Sequence, residues 1–126
     1  MKIRITAGGT SATATLMDTP TARAIWEALP IEGIGQLWGD EIYFAIPVDV
    51  AGEPEARAEV NVGDLGYWPP GHAFCIFYGR TPASTGEQPV AASPVNVMGQ
   101  IDGDAKAFAS VPDGETVRLE ALGEKD

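Results

Sequence analysis

The sequence predicts a mainly β protein, a closed barrel of eight short strands capped by two short helices. Three observations carry that expectation. Short segments alternate apolar and polar side chains, as half-buried strands do. Fifteen glycines and ten prolines among 126 residues cut the chain into short pieces, the composition of a turn-rich fold. Eight short strands in so small a chain favour closure, which removes the edges along which sheets aggregate. With 44% hydrophobic residues the chain can bury one core, so residues 1–126 read as a single domain.

The elements follow in order. Lys2–Thr6 puts Ile3 and Ile5 on one face. Ala7-Gly8-Gly9-Thr10 turns the chain, and Ser11–Met17 returns with Ala12, Ala14 and Leu16 in phase, completing a hairpin. Asp18-Thr19-Pro20 starts a helix, with Asp18 or Thr19 as N-cap and Pro20 near its first position. Ala22, Ile25, Trp26 and Leu29 then form one apolar stripe before Pro30, so Trp26 and Leu29 are expected to plug a barrel end. Ile31–Trp38, with Gly33 and Gly35, reads as a loop. Asp40 and Glu41 lead into the strand Ile42–Val48, whose end is weakened by Pro47. Ala51–Ala56 is a polar linker, and Arg57–Val62 a weakly alternating strand.

The most legible stretch is Gly63–Pro82. Two aromatic strands, Leu65–Trp68 and Ala73–Tyr78, flank Pro69-Pro70-Gly71, where two missing donors and a permissive glycine force a turn. Ala83–Pro94 is a long surface loop, Val95–Ile101 a strand, and Asp102-Gly103-Asp104 caps a short helix, Ala105–Ser110, anchored by Phe108. Pro112-Asp113-Gly114 turns into the last strand, Glu115–Leu122, and Gly123–Asp126 is a polar tail.

Eight basic against eighteen acidic residues give a net charge of −10. That charge repels phosphate backbones and anionic membrane surfaces, leaving peptides and small molecules as partners, basic peptides or polyamines among them. One cysteine excludes an intrachain disulfide. No segment reaches the roughly 20 apolar residues of a spanning helix, and the N-terminus lacks a signal-peptide run, so a cytoplasmic protein is expected. An edge strand would also permit a homo-oligomer.

No catalytic, cofactor or metal set emerges. His72 and Cys75 could pair as base and nucleophile, but three residues apart on a strand they face opposite ways. One histidine and one cysteine are not a zinc site. Asp102-Gly103-Asp104 opens like a calcium loop but lacks its later ligands. Asp40 and Glu41 diverge at a strand start and read as surface charge. Tyr67 and Trp68, at the mouth of the proline turn, suit a binding platform for a peptide or an apolar ring.

The order of elements resembles the cyclophilin fold. The pair Gly-Asp-Glu-Ile-Tyr-Phe (Gly39–Phe44) and Gly-Asp-Leu-Gly-Tyr-Trp-Pro-Pro-Gly (Gly63–Gly71) is similar to that of small prokaryotic cyclophilin-like proteins, over nearly the whole chain. The resemblance implies an eight-stranded barrel with two capping helices. Cyclophilins proper assist rotation about X-Pro bonds, a barrier of about 18–20 kcal/mol, with an arginine that donates a hydrogen bond. Aligned on Ile46-Pro47, Phe44 stands in place of that arginine, the pocket phenylalanine falls near Cys75, and the pocket histidine near Val95. The expectation is a binding protein, its cleft on the barrel wall lined by Phe44, Tyr67, Trp68 and Cys75, with His72 and Arg80 as further ligand contacts. The alternatives are a divergent prolyl isomerase in which Arg80 or backbone amides replace the arginine, and an assembly or regulatory subunit. Related domains also occur beside amide-hydrolysing enzymes of urea metabolism.

Overall fold

The structure is a computed structural model and describes residues 1–123. Ten strands form one antiparallel sheet: β1 (Lys2–Ala7), β2 (Thr10–Leu16), β3 (Ile31–Ile34), β4 (Gln36–Leu37), β5 (Glu41–Ala45), β6 (Arg57–Glu59), β7 (Asp64–Trp68), β8 (Ala73–Phe77), β9 (Val90–Ile101) and β10 (Thr116–Leu122). One α-helix, α1 (Pro20–Ala28), follows β2, and 3-10 turns occupy Pro69–Gly71 and Ala105–Ser110. Thr19 rather than Asp18 caps α1, its hydroxyl accepting from Ala22 N at 3.1 Å. The helix buries Ala22 and Ile25 fully, while Trp26 is only half-buried against the core. The second expected helix is a 3-10 turn, capped by Asp104, which accepts from Lys106 N at 3.0 Å.

The ladder runs β3-β10-β1-β2-β9-β7-β8-β5-β4, with β6 paired to β9 off this path. No ladder joins β3 to β5, so hydrogen bonds do not close the sheet into the sealed cylinder expected. Its two end strands are consecutive pieces of one segment: β3 pairs with β10, β4 pairs with β5, and Gly35 joins them. The expected loop over Ile31–Trp38 is therefore largely β, which accounts for two strands beyond the eight. Its glycines mark close approach instead of a turn. A Cβ at Gly35 would lie 3.0 Å from Val117 Cγ2 and 3.1 Å from Ile42 Cγ2, and one at Gly33 would lie 2.8 Å from Phe44 Cδ2.

Inside the sheet, Ile3, Ile5, Ile42, Phe44, Leu65, Tyr67, Phe74, Ile76, Val117 and Leu119 are all fully buried. They form one cluster with Met98, α1 and Phe108. The Phe44 and Phe74 rings lie 5.4 Å apart, tilted by 33°.

Two further differences shape the outer wall. β9 begins at Val90, so the preceding loop is shorter than expected and Pro94 lies within a strand. Proline is tolerated there because that half of β9 pairs only with β6, in a register that shifts between Arg57 and Glu59. This half of β9 folds over the outside of the sheet and carries a second apolar cluster: Val60, Ala73, Cys75, Phe77, Ala91 and Val95. Strand β8 is thus buried on both faces, which is why Ala73–Phe77 reads as an uninterrupted apolar run.

Candidate functional site

Strict alternation sorts the side chains between the two faces of the wall. On β5, Ile42 and Phe44 enter the interior cluster, leaving Glu41 and Tyr43 on the outer face. On β7, Leu65 and Tyr67 point inward and Trp68 outward. On β8, Phe74 and Ile76 point inward, and Ala73, Cys75 and Phe77 outward.

The outward set borders a hollow of about 170 Å³. Trp38, Glu41 and Tyr43 line one side, and Trp68, with Ala91, Ala92 and Val95 of β9, the other. Each wall has a local cause. The β4–β5 hairpin is closed by Trp38 N donating to Glu41 O at 2.9 Å, which sets Trp38 and Glu41 side by side. Gly39, at φ +61, makes that turn, and its tip docks on the chain after β8, where Asp40 N donates to Arg80 O at 2.7 Å. Tyr43 Oη donates to Gln36 Oε1 at 3.2 Å. The Trp68 indole is braced on both sides. Its Nε1 donates to Ser93 Oγ at 2.7 Å, and Gly71 packs so closely that a Cβ would lie 2.8 Å from Cε3.

Glu41 is the one acidic side chain of the hollow, and it is only 5% exposed. Burial pushes its carboxyl up to about 7, and the neighbouring Cys75 thiol pulls the other way more weakly. Burial, then the charge of Glu41, push the Cys75 thiol well above its ordinary range, so it stays protonated. A buried, protonated thiol is a poor nucleophile. Among the described residues no ion pair engages Glu41, and no cluster of three metal-ligating side chains exists.

The expected site residues are dispersed. Trp68 lines the hollow. Cys75 lies in the apolar cluster beside it, 1% exposed, its thiol donating to Ala73 O at 3.8 Å. Phe44 and Tyr67 are not cleft walls, because both face the interior and are fully buried. The Tyr67 hydroxyl donates to Val48 O at 2.6 Å and accepts from Val50 N at 3.4 Å, fastening the segment after β5. His72 is exposed, at φ 48 after the proline turn, with Nε2 3.2 Å from Asp49 Oδ1. It forms no dyad with Cys75, since the imidazole is exposed against Asp49 while the thiol is buried against Ala73 O. Arg80 is exposed beside Glu87 at 4.0 Å and does not line the hollow. Glu41, expected as surface charge, is buried instead because the hairpin folds it against β8.

A larger groove of about 480 Å³ runs along β2, β9 and the segment around Glu53–Arg57. Its buried polar groups are already satisfied. Asp64 accepts from Asn61 N at 2.8 Å and Gln100 Nε2 at 3.1 Å. Asn96 accepts from Glu53 N at 2.8 Å and donates to Thr21 Oγ1 and Ala51 O, both at 3.0 Å. Such a network holds the fold together and leaves little unmet demand for a ligand.

Comparison with known proteins agrees with this architecture. Residues 1–120 match the family model described as Cyclophilin-like. A solution structure of a hypothetical protein from Archaeoglobus fulgidus is similar at TM-score 0.82 and 41% identity, covering 95% of this chain and 93% of that one. McbB, solved in complex with tryptophan, is similar in fold at TM-score 0.72 and 15% identity, covering 98% of this chain and 46% of that one. A search of curated proteins gives no match.

Proposed function

Because this chain belongs to the cyclophilin-like family, we propose that it is a binding protein whose outer-wall hollow receives one small apolar group. That group is a single-ring molecule or one side chain of a peptide. One observation carries the reading: three aromatic side chains, Trp38, Tyr43 and Trp68, converge on a hollow of about 170 Å³ whose remaining walls are Ala91, Ala92, Val95 and the single acid Glu41. A cavity of about 150 Å³ with apolar walls is enough to hold benzene. The interior is packed with the fully buried Phe44, Tyr67, Phe74 and Phe108.

Prolyl isomerisation is the less favoured activity. None of the side chains lining the hollow is cationic, and Arg80 lies elsewhere, beside Glu87. The position aligned with the isomerase arginine, Phe44, faces away from the hollow.

Nitrogen-15 NMR of the purified protein, titrated with single-ring fragments and Ala-Pro-containing peptides, tests the reading. The indole N–H signals of Trp38 and Trp68 should shift saturably while that of Trp26 stays still. Shifts confined to other residues would contradict it. A protease-coupled proline isomerisation assay on the same sample should show no acceleration.

A further inference from the structure

The geometry points to an organic cation, an alkylated ammonium group, as the occupant of the hollow, held by the ring faces of Trp38, Tyr43 and Trp68 and neutralised by Glu41. This rests on the hollow being a binding site and names the chemistry it would select.

The argument starts from an imbalance. A hollow meant for a neutral apolar ring gains nothing from a carboxylate in its wall, because burying that charge is costly. Glu41 is nonetheless 5% exposed and borders the hollow, and no lysine, arginine or histidine among the described residues pairs with it. The thiol of Cys75, its neighbour on β8, is neutral. A cation entering the hollow would supply the missing partner.

The rest of the wall suits the same guest. Aromatic faces are electronegative and attract cations most strongly where water is excluded, and tryptophan is the best of them. Two of the three rings are tryptophans. Alkylated ammonium is also the cation whose apolar surface the aliphatic floor of Ala91, Ala92 and Val95 can accept, unlike a hydrated metal ion. At the scale of the molecule, a net charge of −10 draws cations toward the surface.

Isothermal calorimetry on the wild-type protein decides the matter with two probes of similar shape: choline, and its neutral isostere 3,3-dimethylbutan-1-ol. Choline should bind about tenfold more tightly at pH near 8, and Glu41→Gln should remove most of that preference. Choline affinity should also rise between about pH 6 and about pH 8 as Glu41 ionises, while isostere binding stays flat. Of the side chains that line the hollow, Glu41 alone is acidic and none is basic. Cys75 of β8 and the Tyr43 phenol of its own strand are the other ionisable side chains beside it, and β9 contributes no charged group.

Equal or tighter binding of the neutral isostere overturns the cation assignment. If single-ring fragments still shift the Trp38 and Trp68 signals, the hollow remains a binding site for neutral groups. If neither probe nor any fragment perturbs those indoles, both readings fall. The two-probe comparison needs no variant, so a misfolded Glu41→Gln cannot blur the result.

Discussion

Glu41 stands on the outer face of β5 with its carboxyl raised to about 7 by burial, against 4.5 for an unhindered group. Between those values the folded protein holds a proton that the unfolded chain has released. Folding stability must therefore fall as pH rises through that window, and the full deficit persists above it. The shift corresponds to at most about 3 kcal/mol. Glu41→Gln removes the ionisation, so its thermal midpoint should exceed that of wild type near pH 8 and converge with it near pH 4. Parallel melting curves across that range would contradict the assignment. The residue also shows where reading the chain alone fails. Glu41 resembles any surface acid after a turn, and nothing local reveals that the hairpin lays it against β8. Alternation could have found it, because the phase that sends Ile42 and Phe44 inward sends Glu41 and Tyr43 to the outer wall together. The alignment that put Phe44 at the place of a catalytic arginine obscured that phase.

Among the elements, β9 does the most to build the site. Its C-terminal half joins β2 to β7, and its N-terminal half folds across the outside of the sheet to supply Ala91 and Val95. Gly99 permits the first of these tasks. A Cβ there would lie 2.5 Å from the backbone oxygen of Thr15 and 3.1 Å from Leu16 Cα, both on β2. Backbone cannot yield as a side-chain tip can, so Gly99→Ala should destabilise the protein by about 2–3 kcal/mol. Gly86→Ala, where nothing lies within 4 Å, should be nearly neutral. Chemical denaturation of the two variants checks the contrast, and equal midpoints would contradict it. The strands around the proline turn were legible because β-prone aromatics lie between strong turn signals. The start of β9 was hidden by Pro89 and Pro94, which mark a loop unless the bulged pairing with β6 is known. Likewise Gly33 and Gly35 suggest a loop in sequence and turn out to be strand residues thinned for contact.

At the scale of the molecule, the sheet curls until its end strands meet at Gly35, enclosing a core filled by large apolar side chains. Mainly β architecture and family were legible because alternation and turn chemistry act locally and the paired motifs span much of the chain. The seam at Gly35 was not, since it depends on one segment pairing with two distant strands. Two depressions mark the outer surface: the aromatic hollow, whose acid has no ion-pair partner among the described residues, and the polar groove, whose buried groups already satisfy one another. The most direct measurement is a crystal structure of the protein soaked with choline at pH near 8. The account predicts density between the Trp38 and Trp68 rings, with the ammonium against the Glu41 carboxylate. Density lodged in the groove between Thr15 and Asp102, with an empty aromatic hollow, would contradict it.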